Sequence, residues 1–142
     1  MTFMRLSAAI PILRLFSEEK AKEFYVDFLG FRIEWEHRCG DNFPLYAQIK
    51  RSELIIHLSE HHGDATPGTT VFVPVENIDA LFSELQAKEY RYAKPAVEAV
   101  PWGRVMEVWD PFGNRLRFCE TSKSDQSGGC ERSPKTPCRR SR

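Results

Sequence analysis

Trp109-Asp110-Pro111-Phe112-Gly113-Asn114-Arg115-Leu116-Arg117-Phe118 is the stretch whose reading decides the fold of this chain. Pro111 presets φ, Gly113 and Asn114 tolerate positive φ, and the Asp110 carboxylate can bond the backbone two residues on. Apolar runs flank these turn formers, so residues 104–109 and 114–120 read as antiparallel strands joined by a tight hairpin. Side chains alternate along a strand, which sets Arg117 on one face and Leu116 and Phe118 on the other. Pairing across the turn then brings Glu107 opposite or diagonal to Arg117 on that same face. An Arg–Glu pair there satisfies two charges, either of which alone would be costly to bury.

Working outward, residues 17–29 form the clearest helix, with Ala21, Phe24, Tyr25, Phe28 and Leu29 spaced to make one apolar stripe. Ser17 caps it, Glu18 and Glu19 complement its dipole, and Gly30 stops it. Residues 77–88 repeat the pattern, with Asn77 as cap and Ile78, Leu81, Phe82 and Leu85 as the stripe. One strand precedes each helix (8–16 and 69–75) and three follow it (31–38, 45–50 and 53–60, then 92–98, 104–109 and 114–120). The chain is therefore an α+β protein built from a βαβββ unit used twice.

A chain of 142 residues is the size of one ordinary domain with a core large enough to fold alone. Twenty basic and twenty acidic side chains cancel, so no global charge draws it to nucleic acid or to anionic lipid. No stretch approaches the roughly 20 apolar residues that span a bilayer, and the apolar N-terminal run is broken by Pro11 and Arg14 with no cleavage pattern after it. These features predict a cytoplasmic protein whose partner is a small molecule or another protein. Cys39, Cys119, Cys130 and Cys138 lack the paired spacing of a zinc site and read as reduced thiols. From Ser122 onward there is no aromatic, Leu, Ile or Val. Such a segment cannot bury enough apolar surface to offset its ordering entropy. The expected organisation is one domain over residues 1–120 and a disordered basic tail over 121–142.

The Asp110-Pro111-Phe112-Gly113-Asn114 hairpin with Leu116 and Phe118 after it, and the Phe24-Tyr25-Val26-Asp27-Phe28-Leu29-Gly30-Phe31 segment, resemble the glyoxalase, bleomycin resistance and dioxygenase superfamily. Ile56-His57-Leu58 and Pro101-Trp102-Gly103 are similar to patterns of its bleomycin resistance branch. The resemblance implies two units whose sheets curl around a cleft, and a homodimer whose partner completes that cleft. Enzymes of the superfamily hold one divalent ion with groups from the first strand of each unit and a Glu from the last. Matched residue by residue, those positions fall on Ile10, Thr70 and Arg117. An aliphatic group, a lone neutral hydroxyl and a guanidinium cannot hold a cation, so no metal and no other cofactor is expected.

The residues expected to line the cleft are His57, Trp102, Glu107, Arg117, Trp35, Tyr46 and Phe72. His57 shares a strand face with Ile55 and Ser59, although a histidine on a strand is often only structural. Trp102 lies in a Pro- and Gly-flanked segment where a core role is less easily explained, and aromatic faces suit a flat heteroaromatic ligand. His61, His62 and Asp64 read as a solvated loop. The expected function is that of a non-catalytic protein that sequesters a bleomycin-like drug or metabolite. Bleomycin is cationic and Glu34, Glu36, Asp41, Glu60 and Glu107 could meet it, yet Arg38, Arg104 and Arg117 lie in the same strands. The alternative is a metal-dependent lyase, isomerase or dioxygenase with displaced ligands such as His57 and Glu107. A metal-independent enzyme with His57 as general base, oriented by Glu107, is a third reading.

Overall fold

A computed structural model describes residues 3–122; of the tail expected over 121–142, Thr121 belongs to the last strand, and residues 123–142, with Cys130 and Cys138, lie outside the described residues. The first unit runs β1 (Ile12–Arg14), α1 (Glu18–Lys22) continued by a π-helical segment (Glu23–Phe28), β2 (Arg32–His37), β3 (Tyr46–Arg51) and β4 (Leu54–Ser59). The second runs β5 (Thr70–Pro74), α2 (Ile78–Ala87), β6 (Val97–Val100), β7 (Gly103–Trp109) and β8 (Arg115–Thr121). Each unit folds into a four-stranded sheet of the same order, β1-β4-β3-β2 and β5-β8-β7-β6. The first strand of each unit pairs in parallel with the last, and the remaining pairs are antiparallel. The repeated βαβββ architecture is thus the one the sequence pattern predicts.

Local chemistry explains where the elements begin and end. The Ser17 hydroxyl accepts from Lys20 N, and Asn77, in the left-handed region at φ 61°, accepts from Ala80 N. The single long first helix expected over 17–29 instead changes pitch after Lys22, and Leu29 N bonds back five residues to Phe24 O. The wider turn lets Phe24, Tyr25, Phe28 and Leu29 all reach the core. Strand β1 is shorter than the expected 8–16, because Pro11 lacks the N–H that would extend the ladder beyond Ile12. Strand β6 starts at Val97 rather than at residue 92. Pro95 cannot donate to a ladder, and Tyr90 turns away to pack on Phe28 with ring centroids 4.9 Å apart.

One core serves both units: Leu13, Phe24, Tyr25, Ile49, Ile56 and Leu58 of the first pack in the same cluster as Ile78, Met106, Leu116 and Phe118 of the second. The hairpin turn closes the joint. Asp110 Oδ1 accepts from the backbone N–H of Phe112 and of Asn114, both at 2.8 Å. Its Oδ2 accepts from Tyr25 Oη at 2.6 Å and from Asn114 Nδ2 at 2.9 Å. Asn114 Nδ2 also donates to Arg14 O at 2.9 Å, which ties β8 to β1. Burial, reinforced by the Asp110 charge and hydrogen bond, drives the Tyr25 phenol well above its ordinary pKa, so the hydroxyl stays a donor.

Candidate binding faces

The core faces of the two sheets leave their other faces outward, and six of the seven predicted residues divide between them. On the first sheet, Ile12 and Gln48 are both register partners of His57. A register shift between Ile33 and Trp35 sets Trp35 opposite Gln48 and inserts one extra residue. A regular strand would send neighbouring Glu34 and Trp35 to opposite faces. With the bulge, both reach Gln48's side. The Trp35 and Tyr46 rings stack at 6.0 Å and 14°, and Trp35 meets the His57 ring edge-on at 5.5 Å. His57, Tyr46 and Trp35, predicted separately, are therefore one aromatic wall.

A hydrogen-bond chain runs through that wall. Gln48 Nε2 donates to Glu34 Oε1 at 2.9 Å, because a carboxylate can only accept. Gln48 Oε1 thus faces His57 Nε2, at 2.8 Å, and requires that nitrogen to carry the proton. His57 Nδ1 is then the acceptor, and Tyr46 Oη donates to it at 2.7 Å. The tautomer of a neutral His57 follows from the chain, and the Tyr46 oxygen keeps its lone pairs for an outside donor. Burial, with the Asp64 charge, raises the Tyr46 pKa, which keeps the phenol protonated.

The second sheet's outward face is charged. Glu107 and Arg117 are register partners, and Arg117 Nε donates to Glu107 Oε1 at 2.7 Å. Arg115 Nη1 donates to Glu107 Oε2 at 3.2 Å, while its Nε and Nη2 donate to Thr70 Oγ1. The Arg115 guanidinium also lies 4.7 Å from the centre of the exposed Trp109 ring. Burial raises the pKa of Glu107, but the hydrogen bond from Arg117 and the charges of both arginines outweigh it and hold the carboxyl below its ordinary value. Phe72, the register partner of Arg117, is 50% exposed.

Trp102 joins neither group. It sits in the turn between β6 and β7, 52% exposed, with no ring contact among the described residues, and its carbonyl accepts from Ser122 N. No hydrogen bond or ring contact joins the His57 group to the Arg117 group among the described residues. The sequence reading missed Gln48 and Arg115. Alternation places Gln48 with Tyr46, and Arg115 with Arg117, so the signal was present in the two-residue spacing. A groove of about 810 Å³ lies elsewhere, between the β3–β4 turn and α2, with Phe31, Leu54, Val73, Leu81 and Phe118 among its walls. None of the seven predicted residues lines it.

The positions matched to metal ligands do not fit a metal. Ile10 is an aliphatic side chain 39% exposed, the Thr70 hydroxyl is occupied by Arg115, and Arg117 is a cation paired with Glu107. Among the described residues no three His, Cys, Asp or Glu side chains gather where they could hold an ion. No helix among them is long and apolar enough to cross a membrane.

Two four-stranded sheets built from a duplicated βαβββ unit define the class as the glyoxalase/bleomycin resistance fold. The chain belongs to the glyoxalase superfamily: a family model described as "glyoxalase superfamily protein" matches residues 1–125. No curated protein sequence matches it. Among solved structures it is similar to TnmS3, an antibiotic binding protein from Streptomyces sp. CB03234, with TM-score 0.65 and 25% identity over 84% of this chain and 100% of that one. It is also similar to the bleomycin-binding protein from bleomycin-producing Streptomyces verticillus, solved with copper(II)-bleomycin, with TM-score 0.64 and 27% identity over 84% and 100%. A glyoxylase/bleomycin resistance protein/dioxygenase domain from Frankia sp. EAN1pec shares the fold at TM-score 0.66 and 17% identity, over 84% and 100%.

Proposed function

We propose that this chain is a non-catalytic binding protein that sequesters a drug or metabolite with a flat aromatic part and releases it unchanged. The observation that carries this reading is the Trp35–Tyr46–His57 wall, a set of rings on an outward sheet face with its polar groups fixed in advance by Gln48 and Glu34. Rigid aromatic area with a few oriented polar atoms is what small-molecule recognition needs. Two similar structures, at 25% and 27% identity, are an antibiotic binding protein and a bleomycin-binding protein, which supports the same role here. The proposed assembly is a homodimer, since Ile12 and Trp109 are exposed on the outward faces and a second copy would cover part of them. The proposed setting is the cytoplasm, and the proposed consequence is antibiotic resistance.

The test is calorimetric titration of metal-free bleomycin and of copper(II)-bleomycin into the protein, with the ligand recovered afterwards for mass spectrometry. Saturable binding near one ligand per chain, with the ligand chemically intact, is the expected result. Conversion of the ligand would overturn the non-catalytic reading, and the absence of heat with both forms would reject a bleomycin-like ligand. Light scattering that gives a monomer at micromolar concentration would overturn the dimer.

A further inference from the structure

Arg117 uses one edge of its guanidinium for Glu107 and leaves the other open. Nε makes the 2.7 Å bond, the side chain is 36% exposed, and neither terminal nitrogen has a protein hydrogen-bond partner among the described residues. Paired terminal N–H groups form a planar fork that fits a carboxylate with two parallel hydrogen bonds. The neighbouring Arg115 is differently placed, since Thr70, Glu107 and the Trp109 ring all engage it. Two guanidinium groups share one carboxylate, so the cluster keeps an excess of one positive charge, and the free donors belong to Arg117. Phe72 stands beside it as register partner, exposed, and offers a flat apolar surface next to the fork. The remaining acidic side chain of that sheet face among the described residues, Glu98 on β6, is opposite Val105 of β7. Strand β7 lies between it and β8, a separation of roughly 10 Å, which is about one Debye length at ordinary salt.

From this geometry we infer that the outward face of the second sheet reads anionic oxygen: the terminal nitrogens of Arg117 take the carboxylate of a planar aromatic acid whose ring lies against Phe72. This rests on the binding role proposed above and names its ligand class. Glu107 is a positioning residue, because it holds Nε and so turns the fork outward.

The experiment titrates 2-naphthoate and its uncharged counterpart 2-naphthamide into the full chain, followed by calorimetry and tryptophan fluorescence. Naphthoate is expected to bind at least about tenfold more tightly than naphthamide, the size of a charge-assisted pair. Arg117→Gln is expected to bring the two ligands to equal affinity, with a cooperative thermal melt showing that the chain still folds. Arg117→Lys, which keeps the charge but not the fork, should restore only part of the preference. Equal affinities in the native protein, a preference that survives Arg117→Gln, or no binding of naphthoate would each overturn the inference. Measurable but equal binding of the two probes, or bleomycin binding without naphthoate binding, removes the anion reading and leaves the proposed binding role standing. Failure of bleomycin and both probes together removes both.

Discussion

His57 on the first sheet and Arg117 on the second occupy corresponding places in the duplicated unit. Each faces a partner on the adjacent antiparallel strand, Gln48 or Glu107, and each has an apolar first-strand neighbour in register, Ile12 or Phe72. The surroundings differ in charge. The His57 group is a hydrogen-bond relay walled by Trp35 and Tyr46, whereas the Arg117 group is an ion-paired cluster beside Trp109 and Phe72. A pleated scaffold fixes which residues meet, and the residue types decide whether the meeting place is an aromatic wall or an ion-paired cluster. Duplication has given this chain two different faces from one geometry.

Both units hang on one core, and the substitution with the greatest effect strikes the joint between them. Asp110 accepts four hydrogen bonds at the joint and is nearly buried. Asp110→Ala leaves the Tyr25 hydroxyl and two backbone N–H groups without their acceptor and should cost about 3 kcal/mol. Denaturant unfolding should show one cooperative transition moved to lower midpoint. Two separate transitions in the native protein would mean that the units are independent and that the comparison is between two domains.

Next in size is Gly103→Ala, which acts on the second unit. A Cβ at that position would lie 2.2 Å from Glu120 O on the paired strand, a backbone atom that cannot swing away. A loss of about 2 kcal/mol is expected, with hydrogen exchange accelerated in β7 and β8 more than in β3 and β4. Uniform acceleration across both sheets would blur the distinction between them.

The hydrogen-bond relay is sharpened by Gln48→Leu. It removes the acceptor of the His57 Nε2 proton, at a cost of about 1 kcal/mol, and should release the tautomer. Nitrogen NMR of the imidazole should show a single Nε2–H form in the native protein and a mixture in the variant. An unchanged spectrum would show that Gln48 does not set the proton.

The smallest effect is the pH response of the charged face. Glu107 has a lowered pKa in the folded chain, so its pairing with the arginines contributes fully above its ordinary value of 4.5 and is lost as pH falls through the lowered one. Both partners are about one-third exposed, which keeps the effect small because solvent screens it. Comparing acid unfolding of the native protein with Glu107→Gln should show a gap in stability that narrows below pH 4.5. A gap of constant width would mean that the charge pairing contributes nothing.

Much of this architecture was legible because its causes are local. Asn77 and Ser17 cap helices by bonding their own third residue on, and Pro111, Gly113 and Asn114 specify a turn among neighbours. Glu107 and Arg117 could be paired in advance because a tight hairpin fixes register over a short distance. The π-helical segment was not legible, since the pitch change serves Phe24, Tyr25, Phe28 and Leu29 packing against both units at once. Trp35 shows the same limit. Its place beside Tyr46 depends on a bulge in β2, and a rule of strict alternation has no way to announce an inserted residue.

Residue chemistry and spacing alone were enough for the repeated βαβββ order, the hairpin at Asp110, the Arg117–Glu107 partnership and the poor fit of Ile10, Thr70 and Arg117 to a cation. Each follows from residue chemistry and separations of a few positions along the chain. The long-range packing alone ties Tyr25 and Arg14 to the hairpin, joins Glu34, Gln48, His57 and Tyr46 in one relay, and divides six of the seven predicted residues between two sheets. Those contacts join segments far apart in the chain, and their geometry is set by how the shared core packs, a property of all the side chains together.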